Sequence, residues 1–521
     1  MLSARDAALA AGLLAVAVAL PSIRNGFVSD DRWVIVERPL LVHPPSLGAV
    51  LREPYWPAGF GGVTWRPAVL VSYALDYRLG GSPTWFHLVN VLWAGVAAAL
   101  LTVLACQLAD VRTGLVAGLL FAVHPVHVEA VANVVGRAEP MAAAGYAAAL
   151  LCALQVGRQR GYLLGVVLAA AFAIASKEHA VTLPAAILLV LLARRVRPGA
   201  AVLPALAATV PIAAYFVLRG VYTTGRFASG GLALGLEHLN LFQRAWAMIP
   251  ISLQWWRLLL FPAHLSADYS PGELVVSTAF TLTHLLGLAL WIAAGWAAWH
   301  WRARVPGLAL GLVWLVVTVS PVANVVIPTE VLVAERTLYL PSWGICFALA
   351  AVGMAVPWPT RARVALLAAV LVAGAGRTLV RIPAWHDDEA QYRALTRDAP
   401  RSYRTLWLQG KDEFAAGHWG SGEQLLRESI ALAPQVAGPR LDLARYYATA
   451  GLWRPALEQL RAATAVDSAL VPAWALLPRA LLGAGDTTGA VAAAREALRR
   501  FPSDAAVMRE ARAVLNAAPR R

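Results

Sequence analysis

Long apolar runs constrain this chain more than any other feature. They fall at about 7–23, 84–109, 113–132, 139–156, 161–176, 179–193, 201–218, 279–300, 306–321, 337–356 and 364–381. A helix needs about 20 mostly apolar residues to cross the hydrocarbon core of a bilayer. Backbone polar groups in lipid must be satisfied internally, which leaves helices or closed barrels. Runs of this length predict a polytopic helical membrane domain with about 11 spans. Composition agrees: 59% of residues are hydrophobic and 14% charged, against about 25% charged in soluble chains. Intrinsic disorder and a single soluble core are both excluded. The first run lacks a small-residue cleavage signature and leads through Pro21 into a loop, so it is expected to be a retained span rather than a signal peptide.

Charge sets the expected orientation. The chain carries 44 Lys+Arg against 30 Asp+Glu, and Lys177 and Lys411 are its only lysines. Arginines cluster in short loops at Arg158 and Arg160, at Arg194, Arg195 and Arg197, at Arg302 and Arg304, and at Arg361 and Arg363. Cytoplasmic loops collect such cations. Placing these four loops and the N-terminus inside puts the 24–83 loop and the C-terminus outside. The 242–262 segment, with Trp246, Trp255, Trp256 and Arg257, carries interface residues. It is expected to lie at the outer interface or to dip into the membrane. No basic stretch is interleaved with aromatics, so nucleic acid is not expected as a partner. Cys106, Cys152 and Cys346 sit in apolar runs without zinc or redox spacing.

From about residue 400 the apolar runs stop and a repeat begins. Gly417, Gly451 and Gly485 are 34 apart, as are Gly422, Ala456 and Ala490, and Leu426, Leu460 and Ala494. Pro434, Ser468 and Pro502 close the units, and Trp419 and Trp453 recur two residues after a glycine. This period is that of the tetratricopeptide repeat, in which small residues let paired helices approach closely. The expected fold class is therefore all-α, in three parts. A membrane domain spans 1–382, a linker 383–402, and an α-solenoid of three tetratricopeptide repeats plus a capping helix 403–521. Such solenoids bind peptides or proteins and carry no chemistry of their own, so chemistry is sought in the membrane domain.

Four polar clusters lie at the ends of apolar runs. The first ends in Ser29-Asp30-Asp31-Arg32, whose adjacent carboxylates can supply a base, a metal ligand or a helix cap. The second holds His124, His127 and Glu129, then Arg137 and Glu139; its spacing matches no standard zinc site. The third is Ser176-Lys177-Glu178-His179, a rare lysine beside a carboxylate with which an ion pair is the plain alternative. The fourth is Glu335-Arg336, directly before an aromatic-bearing span. The orientation read from the loop arginines puts all four outside. Charges at the membrane edge are costly and mark function. Carboxylates and cations on one face suit transfer from a lipid-anchored phosphate donor to an acceptor from outside. A transporter of a lipid-linked sugar would instead need inverted repeats with broken helices. A non-catalytic scaffold would need none of these clusters.

Together these stretches resemble a known family. Phe27-Val-Ser-Asp-Asp31, Trp65-Arg-Pro67, Phe86-His-Leu-Val-Asn90, His124-Pro-Val-His-Val-Glu-Ala-Val131 and Gly136-Arg137 are similar to the transmembrane and tetratricopeptide-repeat O-mannosyltransferases. So are Ser176-Lys-Glu178, Ala334-Glu-Arg-Thr-Leu-Tyr-Leu-Pro-Ser342 and Trp385-His-Asp-Asp-Glu389. The resemblance implies a GT-C-fold glycosyltransferase. It would move a sugar, commonly mannose, from a polyprenyl-phosphate donor to a hydroxyl with inversion. Glu139 stands where the family often has Asp. An inverting transfer needs a base on the hydroxyl, here Asp30 or Asp31, with Asp30 favoured. The phosphate leaving group needs positive charge, for which Arg137, Lys177 and Arg336 are the candidates. Glu129, Glu139 and Glu335 would orient these cations or bind sugar hydroxyls, with His127 and Glu178 in support. Relatives of this fold differ in their need for a divalent cation, so the metal stays open. The arginine-rich composition points to a bacterial inner-membrane protein. Its active loops and repeats would be periplasmic, its partners membrane lipid and an acceptor protein or peptide.

Overall fold

The computed structural model describes residues 2–57, 64–223 and 233–517, and among them every regular element is a helix. The chain divides into two units, one of Met1–Ala267 and Val276–Asp398, the other of Asp268–Val275 and Ala399–Arg521.

In the first unit each apolar run is helical. Polar side chains start several of the helices: Ser3 caps Ala4–Ala19 in a reciprocal box with Asp6, Ser82 caps Pro83–Leu108, and Asp110 caps Val111–Ala122. Each side-chain oxygen takes an amide N–H that the helix itself cannot satisfy. Small residues then let helices touch backbone to backbone. A Cβ on Gly311 would stand 2.2 Å from the Gly344 carbonyl oxygen, so Pro306–Val319 and Tyr339–Ala355 pack at a distance only glycine permits.

Among the described residues six helices are long and apolar enough to cross a membrane: Ala4–Arg24, Pro83–Leu108, Pro198–Tyr222, Leu282–Trp301, Glu335–Ala355 and Thr360–Trp385. A seventh is added if Val111–Ala122 and Pro125–Ala132, bent by 51° at His124-Pro125, form one broken span. This is fewer than the eleven spans counted in the sequence. The difference lies chiefly in helix length: Tyr162–Ser176, Glu178–Ala193 and Pro306–Val322 are apolar but only 10–17 residues long. Lys177 is extended (φ −156°, ψ 140°) and separates Tyr162–Ser176 from Glu178–Ala193, leaving two shorter apolar helices. Leu241–Leu260 is a 20-residue helix outside the spanning set.

The loop between the first two long helices is folded. Short helices at Pro39–Val42, Leu47–Arg52 and Pro67–Leu79 enclose Val34, Ile35, Leu41, Tyr55 and Tyr73, which pack with Phe86 and Met141. The first unit closes with a turn at Ile382–Trp385 and a helix at Asp388–Asp398, whose last residue pairs with buried Arg381.

The second unit repeats in the register read from the sequence. Helix pairs Tyr403–Ala415/Trp419–Leu432, Ala437–Thr449/Trp453–Val466 and Val471–Gly483/Thr487–Arg500 start at 34-residue intervals, and Ala505–Ala517 follows. Gly417, Gly451 and Gly485 take φ of 84°, 74° and 88° between the paired helices, a left-handed turn that glycine adopts without a Cβ penalty. The Asp268–Val275 segment joins this unit through the Tyr403 amide, which donates to the Pro271 carbonyl at 3.0 Å.

Candidate active site

The two adjacent aspartates have different surroundings. Asp31 is fully buried, and its carboxylate accepts the Val28 amide at 3.0 Å and the Val135 amide at 2.8 Å. Burial pushes this carboxyl up to about 7, against the opposing effect of those amides and with a small further push from Asp30. Asp30 is part-exposed and makes no hydrogen bond or ion pair among the described residues. Its charge reaches Arg336 and Glu330. The sequence predicts an extended loop end in which alternation turns the two side chains apart. The backbone is instead helical here, with Asp31 at φ −58°, ψ −35°. Neighbours on a helical turn diverge by about 100°, so the carboxylates still separate, by a different geometry.

Three cation–carboxylate pairs lie in the same part of the domain, and Arg336 of one of them is within electrostatic reach of Asp30. Arg336 donates to Glu129 through its guanidinium, and its backbone amide donates to the other Glu129 oxygen at 2.8 Å. Lys177 pairs with Glu139, which also lies 3.3 Å from His179 Nδ1. Arg66 pairs with Glu178, Nη2 to Oε2 at 3.0 Å, and lies over the Tyr55 ring; the Tyr215 hydroxyl is 3.4 Å from the same carboxylate. The three cations share one field: Lys177 lies within electrostatic reach of Arg66 and Arg336, and Arg336 within reach of Asp30 and Glu139. Each cation has N–H donors beyond those its carboxylate takes, and the Arg336 side chain is 29% exposed.

The remaining sequence candidates sit elsewhere. Arg137 is fully buried and donates to Asn90 Oδ1 at 2.6 Å, Ser72 Oγ at 3.2 Å, the Phe86 carbonyl at 2.8 Å and Asp76, with its plane over Tyr73. That leaves it no free face for a phosphate, so its geometry is that of a scaffold residue. Gly136 permits this turn, because a Cβ there would stand 2.6 Å from the Ala130 carbonyl oxygen. Glu335 accepts the Ser266 amide at 2.6 Å. His127 bonds Ser342 Oγ at 2.8 Å between the rings of Phe121 and Tyr339.

The ion pair of Lys177 with Glu178, the plain alternative read from the sequence, is not formed: Lys177 turns to Glu139 and Glu178 to Arg66. Sequence reasoning passed over Arg66, whose signal was its place in Trp65-Arg66-Pro67, and it gave no role to Tyr215 or Glu330. Among the described residues no group of three or more His, Cys, Asp or Glu side chains is placed to hold a metal ion. The nearest carboxylates are already engaged by cations.

Comparison with known proteins bears on this arrangement. The family model for dolichyl-phosphate-mannose-protein mannosyltransferase matches residues 69–224, which include Arg137, Glu139, Lys177 and Glu178. Protein O-mannosyl-transferase Tmtc1 of Drosophila melanogaster is 38% identical over 192 residues, covering 35% of this chain and 22% of its own length. Protein O-mannosyl-transferase TMTC4 of Mus musculus is 25% identical over 483 residues, covering 78% of this chain and 64% of its own. The chain is thus similar in sequence to protein O-mannosyl-transferases. It spans less than two thirds of the length of these relatives. Among solved structures, the archaeal oligosaccharyltransferase AglB of Archaeoglobus fulgidus, in complex with an inhibitory peptide and a dolichol-phosphate, covers 75% of this chain and 57% of its own. The identity is 12% and the TM-score 0.40.

Proposed function

We propose that this chain transfers a sugar, mannose by the family's description, from a polyprenyl-phosphate donor to a hydroxyl of a protein acceptor at the outer face of a membrane. One observation carries the reading: Asp30, a carboxylate with no hydrogen-bond or ion-pair partner among the described residues, lies within electrostatic reach of Arg336, which in turn lies within reach of Lys177, and both cations have donors to spare. The acceptor oxygen attacks the anomeric carbon as the bond from that carbon to the phosphate oxygen breaks. Asp30 takes the hydroxyl proton as general base. The departing phosphate is a weak base and needs charge stabilisation instead of a proton. Lys177 and Arg336 supply it. Glu139 and Glu129 hold those two cations in place, and Glu178 does the same for Arg66.

The outer-face placement rests on the loop arginines and on the positive-inside rule. The 34-residue helix pairs are proposed to be tetratricopeptide repeats over 403–521 that present the acceptor. The test is transfer in vitro: purified chain, polyprenyl-phosphate-mannose and peptides rich in Ser and Thr, with product masses and anomeric configuration read out. Peptide-linked mannose of inverted configuration is the expected product. Donor binding without transfer to any hydroxyl would refute the reading in favour of a carrier or scaffold.

A further inference from the structure

The Trp385-His386-Asp387-Asp388-Glu389 stretch has no part in the chemistry above, yet it grips the loop that bears Asp30. The Gly26 amide donates to the His386 carbonyl at 2.7 Å. The Ser29 amide donates to Asp388 Oδ1 at 2.9 Å, and Arg32 Nε lies 3.8 Å from Asp388 Oδ2. Trp385 is buried and packs with Val28, Val128, Ala132 and Ile382. These contacts join positions some 359 residues apart in sequence, all within the first unit.

The loop has reason to need a grip. Ser29 has φ +52°, a left-handed conformation that is disfavoured for a residue with a Cβ. Such a residue persists only where its surroundings over-determine it. Asp388 supplies a carboxylate acceptor to the amide of that same residue, one position before Asp30. Asp31 pins the other side through the Val28 and Val135 amides. The direction of the Asp30 side chain is thus set from both flanks, and one flank belongs to a segment remote in sequence.

We infer that Asp388 is a positioning residue for Asp30: it holds the Ser29 backbone in its left-handed turn and so aims the Asp30 carboxylate. The inference rests on the proposed role of Asp30 and extends the site to a stretch that the sequence assigned to a linker. The required feature of Asp388 is an acceptor oxygen on the Ser29 amide, not its charge. Asparagine keeps that oxygen and alanine does not.

The experiment compares Asp388→Ala, Asp388→Asn and Asp30→Asn in the full chain. Turnover, donor KM, thermal stability and amide exchange of residues 26–36 are measured for each. Asp388→Ala is expected to lower turnover about tenfold at unchanged donor KM and unchanged melting, a misplacement effect rather than a binding one. It is also expected to speed exchange in 26–36, while Asp388→Asn stays near wild type in both. Normal turnover and normal exchange in Asp388→Ala, with Asp30→Asn inactive, overturn the inference and leave the proposed base standing. Loss of protection throughout the chain overturns it too, because the residue is then merely structural. Equal defects in the Ala and Asn variants place the effect in the charge and refute the acceptor argument. If Asp30→Asn turns over normally, the base assignment falls with the positioning role, whatever exchange in 26–36 shows.

Discussion

Replacing Asp30 and Asp31 in turn by asparagine separates chemistry from structure within one dipeptide. Asp30→Asn keeps size and polarity but removes the proton acceptor, and general-base help is worth about 10²–10⁴-fold in rate. Turnover should fall by that factor with donor KM and melting unchanged. Asp31→Asn should do the reverse. Both Asp31 oxygens accept a backbone amide at full burial, and an asparagine can accept with only one. Its NH₂ group then faces an N–H, which costs about 1–3 kcal/mol for the unsatisfied donors. The cost depends on pH, and its sign can be worked out. Burial raises the folded-state value from 3.8 to about 7, so between pH 4 and 7 the folded chain holds a proton that the unfolded chain releases. Stability from this group is full below about pH 4 and is lost as pH rises through 7, by at most about 4 kcal/mol. The asparagine variant has no such slope. Its deficit against wild type should therefore be largest at about pH 4 and shrink steadily up to pH 8. Melting in detergent micelles across that range, beside turnover at one pH, is the assay. A deficit that grows with pH would mean the loop depends on the ionised carboxylate and would refute the burial argument. Similar rate losses in both variants would refute the division of labour.

Three further outcomes are expected. Lys177→Ala should weaken donor binding about tenfold or more and leave buried Glu139 without its cation; adding Glu139→Gln should restore melting but not affinity, and affinity recovered with melting would assign Lys177 to the fold alone. Arg137→Lys should lower melting, since an ammonium cannot fill the fork between Asp76, Asn90 and the Phe86 carbonyl, while folded protein binds polyprenyl phosphate normally; unchanged melting with lost donor binding would return Arg137 to the phosphate. A reporter fused after Arg521 should be active on the outer side, and cytoplasmic activity would remove the presenting role of the repeats.

Legibility in the sequence followed the range of the forces involved. Apolar runs and the 34-residue period are local patterns, and both map onto helices within a few residues. Pairings between charges are not local. Lys177 and Glu178 are adjacent, yet Lys177 is extended and Glu178 begins a turn, so their side chains leave in different directions and find Glu139 and Arg66. Nothing in a linear reading distinguishes Arg137, saturated in the core, from Arg336, partly open to solvent; both follow a glycine or glutamate at the end of an apolar run. The Asp388 contact was hidden for the same reason: its partner lies on the first loop of the chain.

The three pairs also explain how such a site can wait for its substrate. A lone cation at the membrane edge is costly, and a buried one without a partner costs several kcal/mol. Here each cation carries a carboxylate from a different stretch of the chain: Arg66 from the folded loop with Glu178, Lys177 with Glu139 from the next helix back, Arg336 with Glu129 from the bent helix. The pairs neutralise one another in the resting state, and each leaves N–H donors for a phosphate to share. A phosphate binding among them adds charge-assisted hydrogen bonds without stripping the carboxylates away. Because every pair bridges two elements, the fold that assembles the helices is also what brings the cations together. In the proposed mechanism Asp30, held on both flanks and paired with none of these cations, is the carboxylate that takes the proton.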